Sequence, residues 1–159
     1  MSAELVKQLI ESFDINNKIN VYLLASLKEE YLSDQTSGKG RTVGEQFAHI
    51  HNVRLMWLKA SYPDLTGGLN KIEKEDPITI KQLEKELKAS GEAMKKLIEL
   101  CYEKNDGKVK GFKPHCAAFI GYLISHDSHH RGQIMISLKT SGHPVDKKVQ
   151  FGLWEWGVR

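Results

Sequence analysis

The chain has 159 residues, a length that favours one domain with a buried core. Hydrophobic residues make up 40% of the sequence and charged residues 27%, which is ordinary for a globular protein. The formal net charge is +3, from 23 Lys and Arg against 20 Asp and Glu, and no dense basic run accompanies it. This pattern argues against nucleic-acid binding.

Membrane insertion and export are not indicated either. No apolar run approaches the ~18 residues that span a bilayer, and the N-terminus lacks the basic-then-apolar pattern of a signal peptide. Cys101 and Cys116 are the only cysteines, and without an export signal their thiols are expected to stay reduced. We therefore expect a cytoplasmic protein.

Apolar residues recur at helical spacing along four stretches of the chain, and no segment alternates as a strand does. The first helix is predicted over residues 3–32. Asn16 and Asn20 interrupt its apolar stripe, so polar groups stand where a core would favour carbon. A turn-rich loop at residues 33–40 follows this helix.

Thr42 and Glu45 form a capping-box pattern that predicts the start of the second helix, which extends to about Ser61. The connection that follows, residues 62–77, is longer than the ~2–8 residues usual between bundle helices. Such a length predicts a long crossover, which lets the next helix start at a distant end of the bundle.

Thr79 caps the third predicted helix. The fourth is predicted from Pro114, a residue suited to a first helical turn, to about Ser141. Together these elements predict an all-α four-helix bundle. We expect a single domain, with the bundle over residues 3–142 and a tail over residues 143–159.

Two histidines of the fourth predicted helix carry the strongest functional signal. His126 and His130 lie four residues apart, which places both imidazoles on one face of a helix. Phe119, Leu123 and Ile134 share that face, so both histidines are predicted to point into the bundle. Two such imidazoles supply two ligands of a transition-metal site.

The second helix offers His49 or His51 as a third ligand. Both align with apolar residues, but His49 lies nearer the centre of the apolar arc, so we take His49 as the ligand and His51 as the alternative. Three imidazoles suit a divalent transition metal, with zinc or nickel expected first, and leave coordination positions open. The competing interpretation is structural, since an inward histidine is often a hydrogen-bonded core residue.

Other polar residues near the histidines are candidates for catalysis or binding. Asp127 is a candidate base or a group that orients an imidazole, and Arg131 is expected to form a helical ion pair with it. Gln133 is a candidate for catalysis or ligand binding. Asn16 and Asn20 are candidates for lining a cofactor pocket, or face solvent or another chain.

Three segments resemble one known family. The string HDSHHRGQI at residues 126–134 resembles the H-x-x-x-H-R-G-Q signature of the DinB/YfiT-like family. Residues 41–54 resemble that family's second-helix motif, in which the metal histidine matches His49. The string GLWEWG at residues 152–157 resembles the tail of one branch, so the resemblance covers nearly the whole chain.

The resemblance implies a four-helix bundle with a long crossover, a homodimer, and a divalent metal on His49, His126 and His130. Some members transfer low-molecular-weight thiols or isomerise thiol adducts, and others are known only as damage- or stress-inducible proteins. We therefore expect a thiol-dependent transferase acting on a small-molecule substrate. The alternatives are a metal-dependent hydrolase and a non-catalytic metal-binding stress protein. In the non-catalytic case Trp154 and Trp156 could anchor a protein partner, whereas the competing interpretation is that they cap the bundle or a dimer interface.

Overall fold

The computed structural model describes residues 2–36 and 40–159, so the loop predicted at residues 33–40 lies partly outside the described residues. Four long helices build the fold, and the predicted all-α class is confirmed. Among the described residues, no helix has the length and apolarity to cross a membrane. The four helices are α1 (Ala3–Ala25), α2 (Val43–Ser61), α3 (Ile80–Lys104) and α4 (Cys116–Thr140).

Shorter elements connect and extend these helices. Two 3₁₀ turns follow α1 and α2, an antiparallel hairpin separates α3 from α4, and a short helix with a last 3₁₀ turn forms the tail. In chain order they are Glu29–Ser33, Pro63–Thr66, β1 (Lys108–Val109), β2 (Phe112–His115), α5 (Lys147–Gly152) and Trp156–Val158.

The first helix is shorter than the sequence predicts. It ends at Ala25 and not at residue 32, because the amide and hydroxyl of Ser26 both donate to the carbonyl of Leu23 and close the last turn. Leu27 and Leu32 lie beyond the helix but are still buried in the core. Their burial explains why the apolar pattern continues past the true end of α1.

The hairpin before α4 contradicts the prediction that the chain has no strand. Its strands are two and four residues long, too short for a readable alternation of polar and apolar residues. Pro114 lies in β2 and not in the first turn of α4. The helix is capped instead by His115, whose Nδ1 accepts a hydrogen bond from the amide of Ala118.

Two predicted helix starts are confirmed. At α2 the Glu45 carboxylate accepts a hydrogen bond from the Thr42 amide at 2.8 Å, and the Thr42 hydroxyl accepts one from the Glu45 amide at 3.2 Å. At α3 the Thr79 hydroxyl accepts a hydrogen bond from the Gln82 amide at 3.1 Å. These caps satisfy amide groups that a helix start otherwise leaves unpaired.

The long connection between α2 and α3 is fastened to α2 by two side chains. The Asn52 amide group bonds Ile72 twice, donating to its carbonyl at 2.8 Å and accepting from its amide at 3.0 Å. His51 Nε2 lies 2.9 Å from the carbonyl oxygen of Asn70. The connection is as long as predicted, while its crossover topology stays a prediction.

A layer of buried polar residues divides the apolar core. One apolar cluster contains Leu23, Ile50 and Leu87, and the other contains Phe13 and Leu58. On each long helix, one group of buried polar residues lies in sequence between a member of one cluster and a member of the other. This polar layer comprises Asn16, Asn17, Asn20, His51, Arg54, Ser90, Asp127 and His130.

The tail packs on α1 but leaves aromatic side chains in solvent. The Arg159 guanidinium stacks on the Tyr22 ring, 3.9 Å from its centroid, and Leu153 packs against the apolar core. Phe151 is nevertheless 70% exposed and Trp154 81% exposed. The tail therefore covers part of its own bundle and also presents an apolar surface.

Candidate metal centre

Three histidines converge between α2 and α4. His49 Nε2 lies 3.4 Å from His126 Nε2, and one ligand atom each of His49, His126 and His130 lies within 4.8 Å of the others. Zinc–nitrogen bonds of about 2.0–2.1 Å in a tetrahedral site separate two ligand nitrogens by ~3.3 Å. The three imidazoles are thus spaced to fit around one metal ion.

The helices explain this convergence. His126 and His130 are one turn apart on α4, with ring centroids 4.5 Å apart, as the four-residue spacing predicts. His49 comes from α2, and its ring centroid lies 5.3 Å from that of His126 and 4.7 Å from that of His130. His129, the other histidine of this turn, is exposed.

Both α4 histidines have a hydrogen-bond acceptor beside Nδ1. His130 Nδ1 lies 2.5 Å from Oε1 of Gln46, a residue of α2 that no local sequence pattern singles out. His126 Nδ1 lies 3.4 Å from Oδ1 of Asp127. Partners of this kind commonly orient metal-binding imidazoles, because a ring that donates from Nδ1 keeps its lone pair on Nε2.

Two of the three histidines, His49 and His130, are held in the neutral form that binds metals. Burial lowers the pKa of His49 to about 4, assisted by the positive charge of Arg41. Burial likewise lowers the pKa of His130 to about 4, assisted by repulsion from neighbouring His126. Metal ions bind the unprotonated imidazole, so protons compete weakly for these two ligands at neutral pH.

Asp127 lies at the centre of the polar layer. Its Oδ2 accepts hydrogen bonds from the side-chain amides of Asn16 and Asn20, each at 2.8 Å, and from Arg54 at 2.9 Å. Burial alone would raise the pKa of Asp127, but the Arg54 charge and hydrogen bonds from His126, Arg54 and Asn20 bring it to about 2. A carboxylate this acidic is a weak base at neutral pH, which favours the orienting role over the catalytic one.

Arg54, and not Arg131, forms the ion pair with Asp127, so that part of the sequence prediction is wrong. Arg54 is only 1% exposed. Arg131 donates instead to the side-chain oxygens of Asn16 and Asn20, at 2.9 and 2.5 Å. The two asparagines are fully buried and bridge the carboxylate and Arg131, so they face neither solvent nor another chain.

His51 lies outside the three-histidine cluster. Its ring is fully buried, with Nδ1 at 3.1 Å from the carbonyl oxygen of Glu86 and Nε2 against that of Asn70. Both nitrogens therefore face backbone oxygens of other segments. His51 is placed as a core histidine that joins α2 to α3 and to the long connection.

Two cavities adjoin the cluster. One, of about 400 Å³, is lined by His49 together with Arg41 and residues 71–74 of the long connection. The other, of about 310 Å³, is lined by Gln46, Gln133 and Arg41. Gln133 therefore lines the same cavity as Gln46, which contacts His130, and it stays a candidate for ligand binding.

Fold and site together define a helical-bundle protein with a three-histidine centre suited to a divalent transition metal. The sequence profile of the DinB family matches residues 1–149, and the chain belongs to the DinB family. The family predicted from the H-x-x-x-H-R-G-Q signature is thereby confirmed. Among curated proteins, none matches the chain.

Proposed function

We propose that His49, His126 and His130 bind one divalent transition metal, with zinc or nickel expected first. The observation that carries this proposal is the convergence of three imidazoles within 4.8 Å of one another, from two helices. The low pKa values of His49 and His130 and the acceptors beside His126 and His130 support it. Three protein ligands leave coordination positions for a bound molecule.

We further propose that the protein is an enzyme that transfers a low-molecular-weight thiol to a small electrophile. A divalent metal in this site supplies Lewis acidity that keeps a coordinated thiol deprotonated at neutral pH. The chain's own residues hold His49 and His130 neutral and orient His126 and His130, and the 400 Å³ cavity beside His49 has room for a small molecule. The sulfur–carbon bond forms while the leaving group departs with its bonding electrons, and the thiol proton passes to solvent.

Elemental analysis of the purified protein tests the metal site. We expect one equivalent of metal in the wild type and its loss in His49→Ala and His130→Ala. The matched control is His129→Ala, which removes an exposed histidine whose ring centroid lies 5.2 Å from that of His130, and it should retain the metal. Metal retained in both His49→Ala and His130→Ala would refute the site.

The reaction is tested by mixing metal-loaded protein with a panel of thiols and an electrophile such as 1-chloro-2,4-dinitrobenzene, and following the absorbance of the conjugate. We expect turnover that His130→Ala abolishes. Conjugation at the uncatalysed rate across the panel would contradict thiol transfer and leave the metal result standing. Hydrolysis of ester or amide substrates without added thiol would identify the alternative, a metal-dependent hydrolase.

The exposed tail favours a second candidate function, a non-catalytic stress- or damage-response protein that acts through protein contacts. Trp154 and Trp156 line a cavity of about 350 Å³ with Met135 and Gly132 of α4. Among the described residues, nothing lies within 4 Å of a Cβ built on Gly132, so this surface is open. Exposed aromatic residues are frequent anchors of protein interfaces.

We propose that this surface joins two copies of the chain in a homodimer. Phe151→Ser with Trp154→Ser removes the most exposed aromatics without touching the Arg159–Tyr22 contact that fastens the tail. Sedimentation velocity should show a dimer for the wild type and a folded monomer for the double variant. A monomeric wild type would refute the dimer, and a variant that remains dimeric would refute this surface.

A further inference from the structure

Gln46 and Asp127 stand in matching positions around the two α4 histidines. Gln46 is 5% exposed and places Oε1 at 2.5 Å from His130 Nδ1. Asp127 is 1% exposed and places Oδ1 at 3.4 Å from His126 Nδ1. In each of these two imidazoles, Nδ1 thus lies against a buried oxygen, while Nε2 is the nitrogen left to face the other histidines.

Both oxygens are held in place by the fold. The other oxygen of Asp127 accepts hydrogen bonds from Asn16, Asn20 and Arg54, which fixes the carboxylate and leaves Oδ1 for His126. Gln46 lies three residues before His49, so α2 carries one histidine of the cluster and the partner of another. The carboxylate oxygen is an acceptor only, and it can bond an imidazole only through a nitrogen that carries a proton.

The position of that proton decides whether the histidines can bind a metal. A neutral imidazole has one protonated nitrogen and one lone pair. A proton on Nε2 would point into the cluster and leave no lone pair there. A proton on Nδ1, donated to Gln46 or Asp127, leaves the Nε2 lone pair directed at the other imidazoles.

We infer that Gln46 and Asp127 are positioning residues that hold His130 and His126 in the Nδ1–H tautomer before any metal binds. The inference deepens the proposed metal site, yet it concerns a property of the metal-free protein. His49 should differ, because the 3.4 Å contact between its Nε2 and that of His126 requires one donor. With the His126 proton on Nδ1, that donor is His49, whose Nε2 proton would have to leave before that nitrogen could bind a metal.

The inference predicts the protonated nitrogen of each ring in the metal-free protein at neutral pH. Nitrogen–proton correlation spectra of ¹⁵N-histidine-labelled protein report it directly. We expect His126 and His130 as Nδ1–H and His49 as Nε2–H in one spectrum, so His49 is an internal contrast. An Nε2–H tautomer at His126 or His130 in the wild type would overturn the inference, whatever the variants do.

Variants of Gln46 separate positioning from packing. Gln46→Leu should shift His130 towards the Nε2–H tautomer and weaken zinc binding about 10- to 100-fold, measured by competition with a chromophoric chelator. Gln46→Glu restores an acceptor and should restore both properties. Gln8→Leu, the same exchange at an exposed position of α1, is the matched control and should change neither. Unchanged tautomer and affinity in folded Gln46→Leu would refute the role of Gln46.

The outcome can be distinguished from that of the proposed function. If elemental analysis finds no metal while the spectra show the expected tautomers, the metal function fails and the positioning role stands. If metal binds stoichiometrically while His126 or His130 carries its proton on Nε2 in the metal-free protein, the positioning role fails and the metal site stands.

Discussion

Removing the guanidinium of Arg54 should destabilise the protein strongly. In Arg54→Met the Asp127 carboxylate loses its 2.9 Å ion pair, and Asn17 and the Leu87 carbonyl lose donors at 2.6 and 3.2 Å. A buried charge left without its partner costs about 3–5 kcal/mol, and each unpaired acceptor about 1–3 kcal/mol. Because the terms overlap, we expect a loss of about 3–5 kcal/mol in the free energy of unfolding.

Urea unfolding of the metal-free protein at pH 7 measures this loss without a contribution from bound metal. The matched control is Glu84→Gln, which breaks the Glu84–Lys88 pair on the surface of α3, where the Lys88 side chain is 60% exposed. Exposed pairs of this kind contribute about 0.3–0.5 kcal/mol. A loss below about 1 kcal/mol for Arg54→Met, with an unchanged slope against urea, would refute the assigned role of the ion pair.

A double-variant cycle identifies Asp127 as the partner. Once Asp127→Asn has removed the carboxylate, Arg54→Met no longer leaves a buried negative charge. The double variant should therefore lose less free energy of unfolding than the sum of the two single variants, by at least about 1 kcal/mol. Strict additivity would show that Arg54 stabilises the fold through other contacts.

Three further predictions concern titration, packing and the long connection. The pKa of His49 and of His130 is lowered from 6.5 to about 4, so the unfolded chain takes up protons at a higher pH than the folded chain does. The stability of the metal-free protein should therefore fall as the pH drops from 7 to 4. Urea unfolding midpoints measure this change, and a midpoint that rises over this range would contradict the lowered pKa values. Gly91→Ala should destabilise the protein by about 1–3 kcal/mol, because the added methyl would meet a buried asparagine side chain of α1. Gly121→Ala in α4, where the added methyl meets no atom within 4 Å, should instead stabilise it by about 0.5–1 kcal/mol. Melting temperatures that shift in the same direction for both variants would refute this prediction. Asn52→Leu should expose the connection to limited proteolysis, and an unchanged cleavage rate would show that its two hydrogen bonds are dispensable.

Local spacing predicts much of the fold and the histidine cluster. The four-residue spacing of His126 and His130, the apolar residues around them and the Thr42 and Glu45 cap are all short-range signals. Each depends on residues within one or two helical turns, so the sequence alone is sufficient. The choice of His49 over His51 depends on a small difference in direction, and the structure brings His49 to the α4 pair.

The polar layer could not be predicted in the same way. Asp127 and Arg131 have the spacing of a helical pair, yet the partner of Asp127 is Arg54, 73 residues away. An arginine on an amphipathic helix is usually exposed, so nothing local marks Arg54 as buried. The available signal is the pair Asn16 and Asn20 within an apolar stripe, which indicates buried polar partners elsewhere without identifying them.

The cavity beside His49 has walls of two kinds, one formed by a long helix and one formed by an irregular connection. The histidines stand on long helices whose positions are fixed by the core, while one wall consists of residues 71–74 of the irregular connection. Such connections accept substitution and insertion more readily than packed helices do. Relatives of this protein could therefore evolve new ligand preferences by varying this wall, while the helices keep the three-histidine cluster unchanged.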